Sequence, residues 1–184
     1  MKICVFCSSS EQLDGELVRA GRAFGAEVAR RGHALVYGGY DRGLMGEVAR
    51  GAKEQGGEVV AVVPKLFERP GFAFSGCDRV LVTADLHERK AVMQAEADAF
   101  VALPGGVGTF DELFDTLALV SLGQLDKPVA VLDPEDYFAP LRQLLENGAT
   151  RGFISAQLAD RVAFHCSGAE LLDALERDAA RRDR

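Results

Sequence analysis

Seven runs of strand length recur along the chain, apolar nearly throughout rather than at alternate positions. They are KICVFC (2–7), ALVYGG (34–39), EVVAVVP (58–64), RVLVTA (79–84), AFVALPGG (99–106), PVAVLD (128–133) and VAFHC (162–166). A strand with one wet face alternates apolar and polar residues, whereas a continuous apolar run is buried on both faces, the condition of a parallel sheet. Stripes of helical period lie between the runs: Leu17, Ala20, Phe24 and Val28; Leu44, Met45, Val48, Ala49 and Ala52; Phe110, Leu113, Phe114 and Leu117; Leu171, Leu172 and Leu175. Further helices are predicted from 85 to about 97 and near 136–147. Strand–helix alternation with short links predicts an α/β fold, a Rossmann-like doubly wound parallel sheet with helices on both faces.

Residues 1–184 read as a single domain, long enough to bury a core. The charged end at 176–184 reads as a fraying, solvated helix tail. Residues 65–78, KLFERPGFAFSGCD, have no clear period and read as a long surface loop.

A net charge of −7 argues against wholesale binding to nucleic acid or an anionic membrane, though not against a local phosphate site. The chain starts directly on a strand-like run without a signal pattern, and no apolar run approaches the roughly 18 residues needed to span a bilayer. A cytoplasmic protein is the expectation. Cys4 and Cys7 form a lone C-x-x-C, but residues three apart in a strand point to opposite faces. With no second cysteine pair or histidine pair to complete a zinc site, neither a metal nor another cofactor is expected.

Three predicted strands end in unusual residues. The first runs into Ser8, Ser9 and Ser10, the second into Gly38, Gly39, Tyr40, Asp41, Arg42 and Gly43, and the fifth into Gly105, Gly106, Val107, Gly108 and Thr109. In a parallel sheet all three tips lie on the carboxyl edge, where such folds bind ligands. Glycines after strands are also ordinary turn residues. Three together on one edge favour a phosphate site, with N–H groups and the Thr109 hydroxyl facing the anion. The spacing is neither the dinucleotide nor the nucleoside-triphosphate fingerprint.

The same loop opens a helix carrying Asp111 and Glu112, which would repel a phosphate placed beside them. Thr109-x-x-Glu112 has the spacing of a capping box, a purely structural alternative to chemistry. A second cluster, His87, Glu88, Arg89 and Lys90, follows Asp85 at the start of another helix. Cations there oppose the helix dipole, so a partner anion is expected.

These residues together resemble the "lonely guy" family of cytokinin riboside 5′-monophosphate phosphoribohydrolases, many of whose members carry the label lysine decarboxylase. The pattern P-G-G-x-G-T-x-x-E is complete from Pro104 to Glu112, and H-E-R-K is complete as His87, Glu88, Arg89 and Lys90. Tyr37, Gly38 and Gly39 followed by Gly43, Leu44, Met45 and Gly46 match a third segment. The resemblance implies hydrolysis of the N-glycosidic bond of a nucleoside 5′-monophosphate, with Arg89 and Glu112 as the catalytic pair. Ser8, Ser9, Gly38, Gly39, Lys90 and the loop Gly105, Gly106, Val107, Gly108 and Thr109 are the expected substrate and phosphate ligands. A homodimer is also implied.

The chain departs from the family pattern near the ligand edge. Tyr40 follows Gly38 and Gly39 where relatives often have a third glycine, Leu86 replaces a usual methionine, and there is no tryptophan. These changes bear on which base is accepted, prenylated adenine or an unmodified purine. A nucleotide sensor or carrier of the same fold, binding without turnover, is the alternative function.

Overall fold

The computed structural model describes residues 1–182. Seven strands form one sheet: β1 (Lys2–Phe6), β2 (Ala34–Tyr37), β3 (Val59–Pro64), β4 (Arg79–Thr83), β5 (Ala99–Ala102), β6 (Val129–Leu132) and β7 (Val162–His165). Every pairing is parallel and the order is β4-β3-β2-β1-β5-β6-β7. The chain winds outward from β1 through β2 and β3 to β4, then crosses back to β5 on the other side of β1. The switch point therefore lies between β1 and β5, where the loops after two neighbouring strands diverge and leave a crevice.

Seven helices cover the sheet: α1 (Gly15–Arg30), α2 (Gly43–Glu54), α3 (Leu86–Glu96), α4 (Val107–Ser121), α5 (Ala139–Thr150), α6 (Ala156–Asp160) and α7 (Gly168–Arg182). One core holds α1, α2 and α7 against the face carrying Ile3, Val5, Leu35 and Val101. The other holds α3, α4, α5 and α6 against the face carrying Cys4, Phe6, Val36 and Phe100. Cys4 and Cys7 fall in opposite cores, as strand alternation requires.

Side-chain caps fix the starts of α1 and α3. The Asp14 side chain accepts the Glu16 N–H at α1, and Asp85 accepts the N–H groups of His87 and Glu88 at α3. Glu88 reaches back to the Ala84 N–H, so the start of α3 is locked from both directions.

Three features differ from the sequence expectation. β4 is a sheet edge, and its Val80 and Val82 are half exposed although the run is apolar; periodicity cannot distinguish an edge from a centre. The short α6 was not anticipated, because one buried leucine, Leu158, gives no period to read. Residues 65–78 are not merely a surface loop: they open with a 3-10 turn (Lys65–Phe67), and Ala73 forms an antiparallel bridge with Tyr40. At the chain's end α7 runs to Arg182, and Arg31 and His33 hold Glu176; residues 183–184 of the expected tail lie outside the described residues. No helix among the described residues is long and apolar enough to cross a membrane.

Candidate active site

A cavity of about 620 Å³ opens at the carboxyl edge of the sheet, over the β1–β5 switch point. Backbone hydrogen bonds fix its loops to one another. The Ser8 N–H donates to the Pro104 carbonyl (3.2 Å), joining the loops after β1 and β5. The Ser8 carbonyl accepts the Met45 N–H (3.1 Å), joining them to the start of α2.

α4 begins at Val107 with Gly106 as its N-cap, and no side chain caps it. The N–H groups of its first turn have no intrahelical partner and carry the positive end of the helix dipole. Gly106, Val107, Gly108 and Thr109 line the cavity at this point. Gly105 lies just behind them: its carbonyl accepts the Tyr137 hydroxyl (2.6 Å), and a Cβ there would collide with Thr109 Oγ1. The glycine thus lets the loop fold onto the first turn of α4.

The capping-box alternative for Thr109 and Glu112 does not hold. Both residues lie inside α4 and both are buried, at 3 % and 4 % exposure. The Glu112 carboxylate turns inward and its Oε1 accepts Arg89 Nη1 at 2.7 Å. Arg89 is itself buried, and its Nε donates to the Val62 carbonyl at 3.0 Å. Gly38 permits this arrangement, because a Cβ there would collide with the Arg89 guanidinium. Both charged groups line the cavity. Burial pushes the Glu112 carboxyl above its ordinary value, and the Arg89 charge opposes that rise.

The expected partner anions of the α3 cations are therefore the chain's own carboxylates on α4. Lys90 Nζ lies 2.9 Å from Asp111 Oδ1 and 3.0 Å from Asp115 Oδ1, and Lys90 does not line the cavity. Asp111 is accounted for by this pair. Ser8, Ser9 and Gly38 do line the cavity. Gly39 does not; its carbonyl accepts the Tyr37 hydroxyl and the Phe74 N–H.

Sequence reasoning missed the outer wall. Phe67, Arg69 and Phe72, all from the aperiodic segment, face the cavity beside Tyr40. The rings stack as a slab, with Tyr40 and Phe72 centroids 4.5 Å apart and those of Phe67 and Phe72 5.4 Å apart. A signal was present: three phenylalanines and an arginine follow directly after a strand, on the ligand edge.

The chain matches the family described as "Possible lysine decarboxylase" over residues 45–175. It is 38 % identical over 175 residues to a "Probable cytokinin riboside 5′-monophosphate phosphoribohydrolase" of Oryza sativa subsp. japonica, spanning 95 % of this chain and 78 % of that protein. It is 39 % identical over 161 residues to a cytokinin riboside 5′-monophosphate phosphoribohydrolase of Rhodococcoides fascians, spanning 87 % of this chain and 81 % of that one. Among solved structures, the molybdenum cofactor carrier protein of Chlamydomonas reinhardtii superposes with a TM-score of 0.74 at 23 % identity, covering 98 % of both chains. That likeness is one of fold. With both signatures assembled at one cavity and relatives at this identity across most of its length, the chain belongs to the lonely guy family, whose profile carries the lysine decarboxylase description.

Proposed function

We propose that the chain hydrolyses the N-glycosidic bond of a nucleoside 5′-monophosphate, releasing the free base and ribose 5-phosphate. The observation that carries this reading is the buried Arg89–Glu112 pair on the wall of a cavity bordered by an uncapped helix N-terminus. The phosphate sits on the first turn of α4, against the N–H groups of Val107, Gly108 and Thr109. Glu112 lies six residues beyond the N-cap, ~9 Å along the helix axis. A ribose 5-phosphate bridges that gap, which places the sugar at the carboxylate and directs the base toward Tyr40, Phe72 and Phe67.

As the bond from C1′ to the base nitrogen breaks, its electron pair leaves with the base and positive charge develops on the ribose. The Glu112 carboxylate stabilises that charge and accepts a proton from the attacking water, whose oxygen bonds to C1′. The base nitrogen takes up a proton from solvent as it departs, and Glu112 returns to solvent the proton it accepted, so that one water is consumed. Guanidinium stays charged, so Arg89 does not shuttle protons; it holds Glu112 and the substrate in place.

Incubation with AMP and with isopentenyl-AMP, followed by chromatography for released base, tests the reaction. Tight binding without release of base from either would favour the carrier alternative. Adenosine is expected to be a poorer substrate than AMP by roughly 10²-fold or more in kcat/KM, the scale of losing hydrogen bonds to a charged group. Equal kcat/KM for the two would remove the α4 N-terminus from phosphate binding.

The chain is expected to pair as a homodimer. Phe114 is exposed on α4, and Val107 and Leu86, exposed at the starts of α4 and α3, border the cavity mouth beside it. Burying such a face is favourable at about 25 cal/mol per Å² of apolar surface. Sedimentation equilibrium at micromolar concentration checks this, and a monomer there would contradict it.

A further inference from the structure

Arg89 and Lys90 are adjacent on α3, and Asp111 and Glu112 are adjacent on α4, so two ion pairs cross the gap between the helices side by side. A third carboxylate, Asp115, meets the same ammonium at 3.0 Å and accepts Gln94 Nε2 at 2.7 Å. The Lys90 side chain is 11 % exposed whereas those of Asp111 and Asp115 are 56 % and 36 % exposed, so the lysine is packed between the helices and its carboxylate partners sit at the solvent edge. Resting on the hydrolase reading above, we propose that Lys90 is a positioning residue. By bridging Asp111 and Asp115 it fixes α4 against α3 and offsets part of the negative charge that α4 carries beside Glu112, so that Arg89 remains committed to Glu112.

Arg89 and Lys90 face Glu112 from α3, Asp111 precedes it on α4, Asp115 follows one turn on and meets Lys90, and the buried thiols of Cys4 in β1 and Cys7 just after it complete the surroundings. Burial raises the proton affinity of Glu112 most; Arg89 lowers it, Asp111 raises it and Lys90 lowers it. Without the ammonium, three carboxylates share one guanidinium. Like charges at this range favour the protonated acid, and a protonated Glu112 can neither stabilise the ribosyl cation nor accept a proton from water.

A phosphate ligand and a positioning residue respond differently to substitution. For Lys90→Met, the acid limb of the kcat–pH profile is expected to move up, because a positive charge that favours the ionised acid is gone. Below that limb kcat falls about tenfold, while KM for AMP changes less than about threefold. Lys90→Arg keeps the charge and is expected to hold the limb near its wild-type position. Lys90→Met/Asp111→Asn/Asp115→Asn removes all three charges and is expected to return the limb toward wild type. Asp111→Asn/Asp115→Asn alone keeps Lys90 and is expected to move the limb down, which tests the idea even if Lys90→Met does not fold.

The Glu112 carboxyl can be titrated in the same variants by ¹³C NMR, with no substrate present. Midpoints that follow the order given support the proposal even if no base is released by the wild type, a result that would sink only the hydrolase reading. Unmoved midpoints, or a KM increase of tenfold or more that the triple variant does not rescue, would overturn it.

Discussion

Glu112→Gln is expected to lower kcat for base release by roughly 10²–10⁴-fold, the scale of a positioned acid or base, in a protein that still folds. The substitution keeps the size of the side chain, and the amide oxygen can still accept the Arg89 Nη1–H that Glu112 Oε1 accepts at 2.7 Å. What it removes is the negative charge that the proposed mechanism sets against the ribose. AMP binding, measured by calorimetry, is expected to persist or tighten slightly, since one charge that repels the phosphate is gone. A pH profile of the wild type adds an independent check. Turnover requires the ionised acid, and burial holds the Glu112 carboxyl above its ordinary 4.5. Activity should therefore fall on acidification through a midpoint above that value. Wild-type turnover by a well-folded Glu112→Gln variant would reduce the buried pair to a structural feature.

Arg89→Met should act on stability as well as on turnover. It leaves the Glu112 carboxylate, 4 % exposed, without its counter-ion. Removing one member of a buried pair costs about 3–5 kcal/mol, which for a chain of this length lowers Tm by roughly 6–20 °C. The sign of the pH dependence follows from the acid. Without Arg89 the folded-state proton affinity of Glu112 rises further above its unfolded value, so the native state takes up a proton that the unfolded state does not. The penalty is therefore full above the folded-state midpoint and shrinks as pH falls toward the unfolded one. Calorimetric melts across that range should show the wild type and variant converging on acidification. Arg89→Met/Glu112→Gln, which removes both charges, should recover much of the lost stability at neutral pH while remaining inactive. A pH-independent loss would mean that the packing of the Arg89 side chain, rather than its charge, holds the site together.

Much of the architecture was legible because burial writes itself into local pattern. Val36, Val60, Val62, Phe100 and Val101 sit in central strands covered on both faces, and such positions admit only apolar residues. β4 broke the rule because Val80 and Val82 are as apolar as their central counterparts while lying on an edge, and strand order is not a local property. The site was half legible. The glycine loop announced itself through residue type and its place after a strand. The outer wall did not, because Phe67 and Phe72 belong to a segment whose shape comes from pairing with the Tyr40 loop rather than from any period of its own.

The sequence by itself determined the strand–helix alternation of a parallel sheet, the edge at which the three loops gather, and the identity of the acidic and basic clusters. It left open what those clusters face. Thr109 and Glu112 have the spacing of a capping box, and only the fold shows that α4 starts two residues before Thr109 and turns Glu112 inward to Arg89. Arg89 and Lys90 are neighbours with the same charge, yet one lines the cavity and the other is held by Asp111 and Asp115. The physical reason is common to both cases. Helix and strand periods arise from backbone geometry within a few residues, whereas an ion pair between α3 and α4 depends on how two helices separated by β5 come to rest on the same face of the sheet.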